Sequence, residues 1–430
     1  MKQDRPTIPA VFFGIVLLLC QSPAQNLQNA PAPEVGFSAE RLGRLTGVLE
    51  AYVSDGKLPG AVVLVARHGR IAYLRSFGYR DIESRSGMTH DAIFRVASQT
   101  KAFVSVGIMI LQEEGKLLIT DPVGKYIPQF DRTSVAVTKE GGGYDVVPAK
   151  RKITLRDLLT HTAGIGYGWG PATEAWKEAG IQGWYFADRD EPIASTMERL
   201  AALPMDAQPG ETFVYGYNTD ILGVVIERAS GMPLDQFLSA KLFVPLGMSD
   251  THFYLPKEKV GRLTTVYSAD RDGTLKRAPE PGGMTGQGVF VDGPRKSFSG
   301  GAGILSTARD YATFLQMVLM DGMFNGTRIL SRKSVELMTV DHLNGIPFRE
   351  GQGFGLGFSV VTGLGARGLL GSEGEFGWGG AYHSAYWVDP KEDLVVVYFT
   401  QLIPTGGIDD HGKLRALIYQ ALEEETISRP

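Results

Sequence analysis

The sequence can be read outward from Phe94-Arg95-Val96-Ala97-Ser98-Gln99-Thr100-Lys101-Ala102-Phe103-Val104. This stretch predicts an extended segment that leads into an apolar helix, with Ser98 and Lys101 at the helix start. Residues three apart lie one turn apart on a helix, so the hydroxyl and the amine share a face. A lysine can remove the proton of a serine hydroxyl, and the N–H groups at a helix N-terminus can stabilise the negative charge that then develops. The pattern indicates a nucleophilic serine.

Ser-x-x-Lys is a short pattern with a structural alternative, in which the serine caps the helix and the lysine stem covers apolar surface. A second copy, Ser54-Asp55-Gly56-Lys57, stands in a Gly/Pro-rich turn and predicts only a solvated loop. The Ser98 copy differs because the helix that follows it is apolar on most sides, which predicts burial. Ser98 and Lys101 are therefore the candidates for catalysis, while the structural alternative stays open from this motif alone.

Composition excludes several classes of function. The chain has 430 residues, 43% of them hydrophobic and 21% charged, which is typical of a globular protein with one large domain or two. The net charge of −4 gives no basic surface for nucleic acid and no polybasic membrane patch. No Gly-x-Ser-x-Gly elbow and no His-Glu-x-x-His pattern occurs, so we expect neither an α/β-hydrolase nor a metal site, and no cofactor.

The N-terminus predicts export. Lys2 and Arg5 precede the apolar run 11–19, and Ser22-Pro23-Ala24 provides a small-x-small cleavage site. We predict a signal peptide over residues 1–24 and a periplasmic or secreted protein. Lipidation of Cys20 and an uncleaved membrane anchor are the alternatives. Cys20 is the single cysteine, so cleavage would leave a mature chain without disulfides. Because cleavage also removes the apolar run, we expect no stable membrane span in the mature chain.

Hydrophobic periodicity outlines an α+β domain over residues 37–425, after a linker over 25–36. Ser38 begins a helix, and residues 61–66 and 71–74 form a β-hairpin around His68-Gly69. Strand-like runs at 355–361, 381–388 and 394–400 precede a last amphipathic helix. We predict one antiparallel sheet built from both chain ends (37–97 and 300–425), flanked by the terminal helices and packed against a large helical insertion (98–299).

Five short motifs then reveal a family resemblance. In chain order they are Ser98-Gln99-Thr100-Lys101, His161-Thr162-Ala163-Gly164, Tyr215-Gly216-Tyr217, Ser299-Gly300-Gly301 and Trp378-Gly379-Gly380. In this order they resemble the serine β-lactamase/penicillin-binding-protein superfamily. The similarity runs from about Phe37 to the C-terminus, and it points to the class C-like branch, which also contains carboxylesterases and D-amino-acid peptidases.

The resemblance implies roles for individual residues. Ser98 would be the acylated nucleophile, Lys101 its activating partner and Tyr215 the phenol that moves protons to and from the leaving group. The backbone N–H groups of Ser98 and Ala381 would form the oxyanion hole. A free tyrosine titrates near ~10, so Tyr215 needs a neighbouring cation, and Lys101 and Tyr215 would titrate as a coupled pair. Tyr217 is the alternative phenol.

Two departures favour the esterase members. β-Lactamases and peptidases carry Tyr-x-Asn, whereas Tyr217 stands at the asparagine position here. They also carry Lys-Thr-Gly where this chain has Trp378-Gly379-Gly380, and an indole cannot replace a cation in binding a carboxylate. We expect Tyr217, Trp378, Gly379, Gly380 and Ala381 to bind substrate.

Two histidines, His161 and His383, are expected to pack rather than to catalyse, His383 within a strand. The predicted function is an exported serine hydrolase that cleaves small carboxylic esters, with an oligomeric state that the sequence does not define. One alternative is an amide hydrolase of the same fold: a β-lactamase, D-aminopeptidase or D-Ala-D-Ala carboxypeptidase. Another is a non-catalytic binding protein.

Overall fold

A computed structural model describes residues 27–423 of the protein. The predicted signal peptide and Cys20 lie outside these residues. The α-helices are α1 (Ala39–Ser54), α2 (Thr100–Glu113), α3 (Leu155–Leu159), α4 (Thr173–Glu178), α5 (Ile193–Leu200), α6 (Asn218–Ser230), α7 (Leu234–Leu238), α8 (Val244–Leu246), α9 (Ala308–Leu319), α10 (Arg332–Met338), α11 (Leu364–Arg367) and α12 (Asp410–Tyr419). A π-helical turn, Ser239–Phe243, joins α7 to α8.

Short 3-10 helices occur at Ala32–Val35, Ala97–Gln99, Val123–Lys125, Pro128–Asp131, Lys257–Arg262 and Gly283–Thr285. The strands are β1 (Gln28–Asn29), β2 (Gly60–Arg67), β3 (Arg70–Asp81), β4 (Ser86–Gly87), β5 (Phe94–Arg95), β6 (Ser134–Thr138), β7 (Tyr144–Pro148), β8 (Tyr267–Ala269), β9 (Leu275–Arg277), β10 (Leu305–Ser306), β11 (Met323–Phe324), β12 (Thr327–Arg328), β13 (Gln352–Phe354), β14 (Ser359–Val361), β15 (Phe376–Gly379), β16 (Ala385–Asp389), β17 (Leu394–Thr400) and β18 (Leu402–Thr405).

The main sheet joins the two ends of the chain. Its strand order is β1-β3-β2-β17-β16-β15-β14-β13, and β4 pairs with β3. The pairs are antiparallel except β1 with β3, which is parallel. The central pairing of β2 with β17 connects residues 61–67 to residues 394–400. The predicted sheet from both chain ends is therefore confirmed.

The sheet is buried on both faces by different parts of the chain. Val62, Leu64 and Ala66 of β2 belong to the core shared with the helical region, and the intervening residues belong to a second core under the terminal helices α1 and α12. This alternation follows from the two-residue period of a strand. Continuous apolar runs such as residues 61–66 are expected where both faces are covered.

Several helices begin or end at capping residues that are visible in the sequence. The hydroxyl of Ser38 accepts the Arg41 N–H at the start of α1, and Gly231 ends α6 in a left-handed conformation with φ 74°. Helix α6 begins at Asn218, directly after Tyr217. At the start of α9 the Asp310 N–H donates to the hydroxyl of Thr307. The Asp310 carboxylate accepts the Asp250 N–H across the fold.

The predicted linker over 25–36 is wrong for its described part. Gln28 and Asn29 pair with β3, Leu27 is buried, and the 3-10 helix Ala32–Val35 packs against the second core. The backbone of Gln28 and Asn29 pairs with the sheet, and the proline-containing composition of the segment does not predict this pairing. Within residues 27–423, no helix is both long enough and apolar enough to cross a membrane.

Candidate active site

The Ser98 segment begins with a strained residue. Strand β5 leads into the 3-10 helix Ala97–Gln99 and then α2, so the predicted extended entry into a buried helix is confirmed. Ala97 is fully buried with φ 44°, a left-handed conformation that costs a residue with a Cβ about 1–3 kcal/mol. Its surroundings hold it there, which fixes the half-buried Ser98 in one orientation at the helix start.

Lys101 is held by three oxygen atoms. Its ammonium donates to the carbonyl of Gly301 at 2.9 Å, to the hydroxyl of Tyr167 at 3.1 Å and to the hydroxyl of Ser98 at 3.4 Å. The residue is only 3% exposed. A lysine fixed this close to a serine hydroxyl can exchange a proton with it. The structure thus brings together the two residues that the sequence predicts as nucleophile and activating partner.

A buried carboxylate shapes the loop that orients Lys101. Asp220 accepts the hydroxyl of Ser299 at 2.6 Å and the N–H of Gly301 at 3.0 Å. Burial raises the pKa of Asp220, while these hydrogen bonds and Lys101 act in the opposite direction. A Cβ on Gly301 would stand 2.4 Å from the carboxylate oxygen, which explains the glycine in this motif. The Ser299-Gly300-Gly301 motif therefore positions the carbonyl that Lys101 contacts.

Tyr215 lies between Lys101 and Trp378. The indole N–H of Trp378 donates to the Tyr215 hydroxyl at 2.9 Å, and the Lys101 ammonium lies 4.5 Å from the centre of the Tyr215 ring. Both interactions become stronger when the tyrosine oxygen carries negative charge. Trp378 occupies β15, an interior strand of the sheet, rather than an edge strand.

Tyr167 is a site residue whose contact with Lys101 the sequence reasoning missed. Its hydroxyl is the one that accepts the hydrogen bond from Lys101, and its ring packs edge-on to Tyr215 and Tyr217. Burial, reinforced by the neighbouring Tyr215, Asp220 and Tyr217, raises the pKa of Tyr167 well above its ordinary value, so it remains a neutral phenol. In the sequence, Tyr167 lies in an aromatic-rich segment, and this feature does not distinguish it from the other aromatic residues there.

Tyr217 differs from its predicted role in substrate binding. The residue is fully buried, its ring is stacked on Trp176 at 6.0 Å and it supports Tyr167 from behind. Tyr217 is separated from the cavity at Ser98 by this packing, because the helix that begins at Asn218 turns its side chain inward. Of the other aromatic residues between 167 and 186, Trp184 lines the cavity and Trp169 is exposed on the surface.

His161 packs beneath Tyr215, as predicted. Its ring centre is 4.6 Å from that of Tyr215, and its Nδ1 faces the side-chain amide of Asn218 at 2.9 Å. Burial, with a further contribution from Lys101, holds the pKa of His161 well below its ordinary value. The imidazole is therefore neutral, and it supports the Tyr215 ring from below.

The end of β15 approaches the Ser98 segment closely. A Cβ on Gly380 would stand 2.6 Å from the carbonyl oxygen of Val96 and 2.5 Å from the hydroxyl of Ser384. The turn that follows is closed by the Gly380 N–H, which donates to the Ser384 carbonyl at 2.8 Å. Ala381 lies in this turn, and both Ser98 and Ala381 line one cavity. The two N–H groups assigned to the oxyanion hole thus belong to segments in contact.

The site opens into a cavity of about 610 Å³. Near the nucleophile it is lined by Ser98, Tyr167, Trp184, Tyr215, Trp378, Gly379, Gly380 and Ala381. It continues along β15 to α12. Ligand cavities commonly have this size and this mixture of aromatic and polar walls. The lining brings Trp378, Gly379, Gly380 and Ala381 to the nucleophile, as the sequence predicts.

His383 lies in the turn between β15 and β16 with φ 64°, not within a strand as predicted. With Asp410 and His411 it forms the group of potential metal ligands found within residues 27–423, whose ligand atoms lie within 4.8 Å of one another. The His383 and His411 rings are stacked at 4.0 Å, and His383 Nε2 is 2.7 Å from Asp410. The nitrogen lone pairs of an imidazole lie in the ring plane, so those of two stacked rings do not converge on one ion. The arrangement instead fits a hydrogen-bond network that connects α12 to the turn.

The second Ser-x-x-Lys copy lies away from the site. Ser54 is the last residue of α1, is exposed and donates to the carbonyl of Ala51. Lys57 is paired with Asp55 in solvent. This copy has no cavity contact and provides a matched control for Ser98.

Comparison with known proteins places the chain among proteins with this architecture. A protein-family model described as Beta-lactamase matches residues 45–420. Protein Rv1367c of Mycobacterium tuberculosis is 35% identical over 374 residues, which cover 82% of this chain and 88% of the relative. Esterase EstB of Burkholderia gladioli is 31% identical over 381 residues, covering 84% of this chain and 91% of EstB.

A solved structure agrees with these sequence matches. EstCE1, a hydrolase with promiscuous acyltransferase activity, superimposes with a TM-score of 0.76 at 28% identity. The superposition covers 88% of this chain and 99% of EstCE1. The predicted β-lactamase-like architecture is therefore confirmed.

Proposed function

The chain belongs to the Beta-lactamase family and is a serine β-lactamase-fold hydrolase, and on that premise we propose that it cleaves carboxylic esters through an acyl-enzyme on Ser98. The observation that carries the proposal is the hydrogen bond of 2.9 Å between the Trp378 indole and the Tyr215 hydroxyl. This hydrogen bond holds the uncharged indole ring of Trp378 beside Tyr215, the proposed acid–base group.

Acylation follows from the contacts of Lys101. The Ser98 oxygen attacks the ester carbonyl, and its proton passes to the pair formed by Lys101 and Tyr215. The same pair returns that proton to the alcohol oxygen as the ester C–O bond breaks and the alcohol departs. Water then attacks the acyl-enzyme, gives a proton to the pair, and releases the carboxylic acid and free Ser98 as the pair returns the proton to the serine oxygen.

Charge that develops on the carbonyl oxygen requires donors in fixed positions. In the proposal these donors are the N–H groups of Ser98 and Ala381, at the start of the α2 segment and in the turn after β15. The close approach of Gly380 to Val96 keeps the two segments together. Preorganised donors of this kind lower a barrier more than flexible ones, because they need no reorganisation during the reaction.

Two features favour esters over amides as substrates: the nature of the leaving group and the aromatic lining of the cavity. An alcohol leaves more readily than an amine, so an ester needs less assistance from a general acid. Trp378, Trp184 and Tyr167 surround the nucleophile with ring surfaces that suit an apolar acyl or alcohol group. Esterase EstB, with 31% identity over most of both chains, supports the same substrate class. The proposal also includes export, on the basis of the N-terminal sequence alone.

Parallel assays with p-nitrophenyl butyrate and nitrocefin test this proposal. We expect kcat/KM for the ester to exceed that for the β-lactam by about two orders of magnitude, and Ser98→Ala to remove both activities. Ser54→Ala, the matched control, should leave ester hydrolysis unchanged. Equal or faster hydrolysis of nitrocefin would contradict the ester assignment and favour an amide hydrolase.

A further inference from the structure

Arg349 places a cation at the rim of the active-site cavity. It lies in the loop before β13 and lines the same cavity as Ser98. Its guanidinium lies 5.0 Å from the centre of the Trp378 ring and 5.2 Å from that of Phe348. Trp378 in turn contacts Tyr215, so Arg349 is one aromatic ring removed from the acid–base pair.

The guanidinium of Arg349 faces rings and solvent. Arginine presents five N–H donors, and a carboxylate accepts two of them at once. Among residues 27–423, no side-chain hydrogen bond and no ion pair joins Arg349 to another residue, whereas the neighbouring Arg367 and Arg415 both reach Glu375. Contact with an aromatic face also fixes the position of a guanidinium without using its donors. Arg349 is therefore held in place with its donors available.

The charges along the cavity add a second observation. Its lining contains three guanidinium groups, Arg349, Arg367 and Arg415, and one carboxylate, Glu375. Glu375 accepts two hydrogen bonds from Arg415 and also lies 3.0 Å from Arg367. Nε of Arg367 is buried without a hydrogen-bond partner in the described chain. The cavity is thus locally positive in a chain whose net charge is −4, and an anion would meet a favourable potential.

We propose that the cavity selects esters that carry a carboxylate group, and that Arg349 binds this carboxylate while the ester carbonyl lies at Ser98. The inference rests on the proposed ester hydrolysis and names its substrate class. Arg349 acts on binding of the substrate, not on the bond that breaks. The stacked position against Trp378 sets the distance between the carboxylate and the scissile bond.

Two esters of equal acyl chain length test the proposal: mono-p-nitrophenyl glutarate, which is anionic, and p-nitrophenyl pentanoate, which is neutral. We expect the wild type to prefer the anionic ester. Arg349→Gln should raise KM for the glutarate by roughly tenfold and change KM for the pentanoate less than about twofold. Arg349→Lys should retain part of the preference, and added salt should weaken binding of the glutarate in the wild type but not in Arg349→Gln.

Arg332→Gln is the matched control, because Arg332 is an exposed arginine that pairs with Glu336 on α10, away from the cavity. Equal effects of Arg349→Gln on both esters, or no effect on either, would overturn the proposal while ester hydrolysis itself would stand. Equilibrium binding of the glutarate ester to Ser98→Ala and to Ser98→Ala/Arg349→Gln gives the same comparison without turnover. Failure of the wild type to hydrolyse either ester would refute the proposed function, and the binding ratio would still decide the role of Arg349.

Discussion

Lys101 contacts two tyrosines whose hydroxyl groups lie in different surroundings. The Tyr167 hydroxyl accepts from Lys101 directly, but burial raises its pKa well above the ordinary value. The Tyr215 hydroxyl accepts from the Trp378 indole and lines the cavity, with the ammonium of Lys101 over its ring. Proton transfer to a departing alcohol requires a group that faces the substrate. Both tyrosines line the cavity, but the raised pKa of Tyr167 disfavours proton exchange by its hydroxyl. We propose that Tyr215 transfers the proton and that Tyr167 positions Lys101.

Replacement of each tyrosine by phenylalanine separates these roles. We expect Tyr215→Phe to lower kcat by about 10²–10⁴-fold, because the acid–base group is lost. Tyr167→Phe should lower kcat by about tenfold or less, because Lys101 keeps its hydrogen bond to Gly301. Steady-state kinetics with p-nitrophenyl butyrate measure both, and circular dichroism checks that the variants are folded. A larger loss in Tyr167→Phe would assign the acid–base role to Tyr167.

Among individual residues, the sequence identified site candidates that stand in motifs and missed those that do not. Ser98, Lys101, Tyr215 and Trp378 could be proposed as site residues because each stands in a motif of the family that the chain resembles. Tyr167 and Arg349 stand in loops without such a pattern, and only the folded chain brings them to the site. Tyr217 was expected to bind substrate because it stands at the asparagine position of the motif, but its side chain is buried outside the cavity lining, and its direction depends on where α6 begins.

Among the elements, the turn between β15 and β16 joins the two halves of the active site. Gly380 approaches Val96, and the turn is closed by its hydrogen bond to Ser384. From the other side, His383 binds Asp410 at the first residue of α12, and Asp410 also accepts the hydroxyl of Tyr398. The position of the Ala381 N–H is therefore set by contacts with the Ser98 segment and with the terminal helix.

A methyl group at Gly380 tests this dependence. Gly380→Ala would place a Cβ 2.6 Å from the Val96 carbonyl, so the turn must move. We expect kcat to fall by about 10²–10³-fold, which is typical of the loss of one oxyanion donor, with KM changed less than about threefold. Gly365→Ala is the control, because its Cβ would meet no atom within 4 Å. Full activity in Gly380→Ala would show that the turn does not position the donor.

Element types were predictable where periodicity and caps agree, as at α1 with Ser38 and at the β2–β3 hairpin. Prediction failed where a segment takes its structure from distant partners. Residues 27–36 lack periodicity, yet they pair with β3 and pack on the second core. At α9 the Thr307 hydroxyl accepts the Asp310 N–H, but the Asp310 carboxylate accepts the N–H of the distant Asp250. Long-range partners of this kind leave no local pattern.

For the whole molecule, the sheet from both chain ends follows from one physical requirement. The apolar runs of β2 and β17 need cover on both faces, which the helical insertion provides on one side and the terminal helices on the other. The segment with Ser98 follows β5, which pairs with β10 in a separate two-stranded sheet, and Trp378 stands in β15 of the main sheet. The candidate site therefore lies where the helical region meets the sheet.

Covalent labelling of the intact protein tests the central claim, that Ser98 is the acylated nucleophile, most directly. The wild type, Ser98→Ala and Ser54→Ala proteins would be treated with a fluorophosphonate and examined by intact-mass spectrometry and peptide mapping. We predict a single adduct on Ser98 in the wild type and in Ser54→Ala, and no adduct in folded Ser98→Ala. An adduct on another residue, or undiminished labelling of Ser98→Ala, would contradict the account.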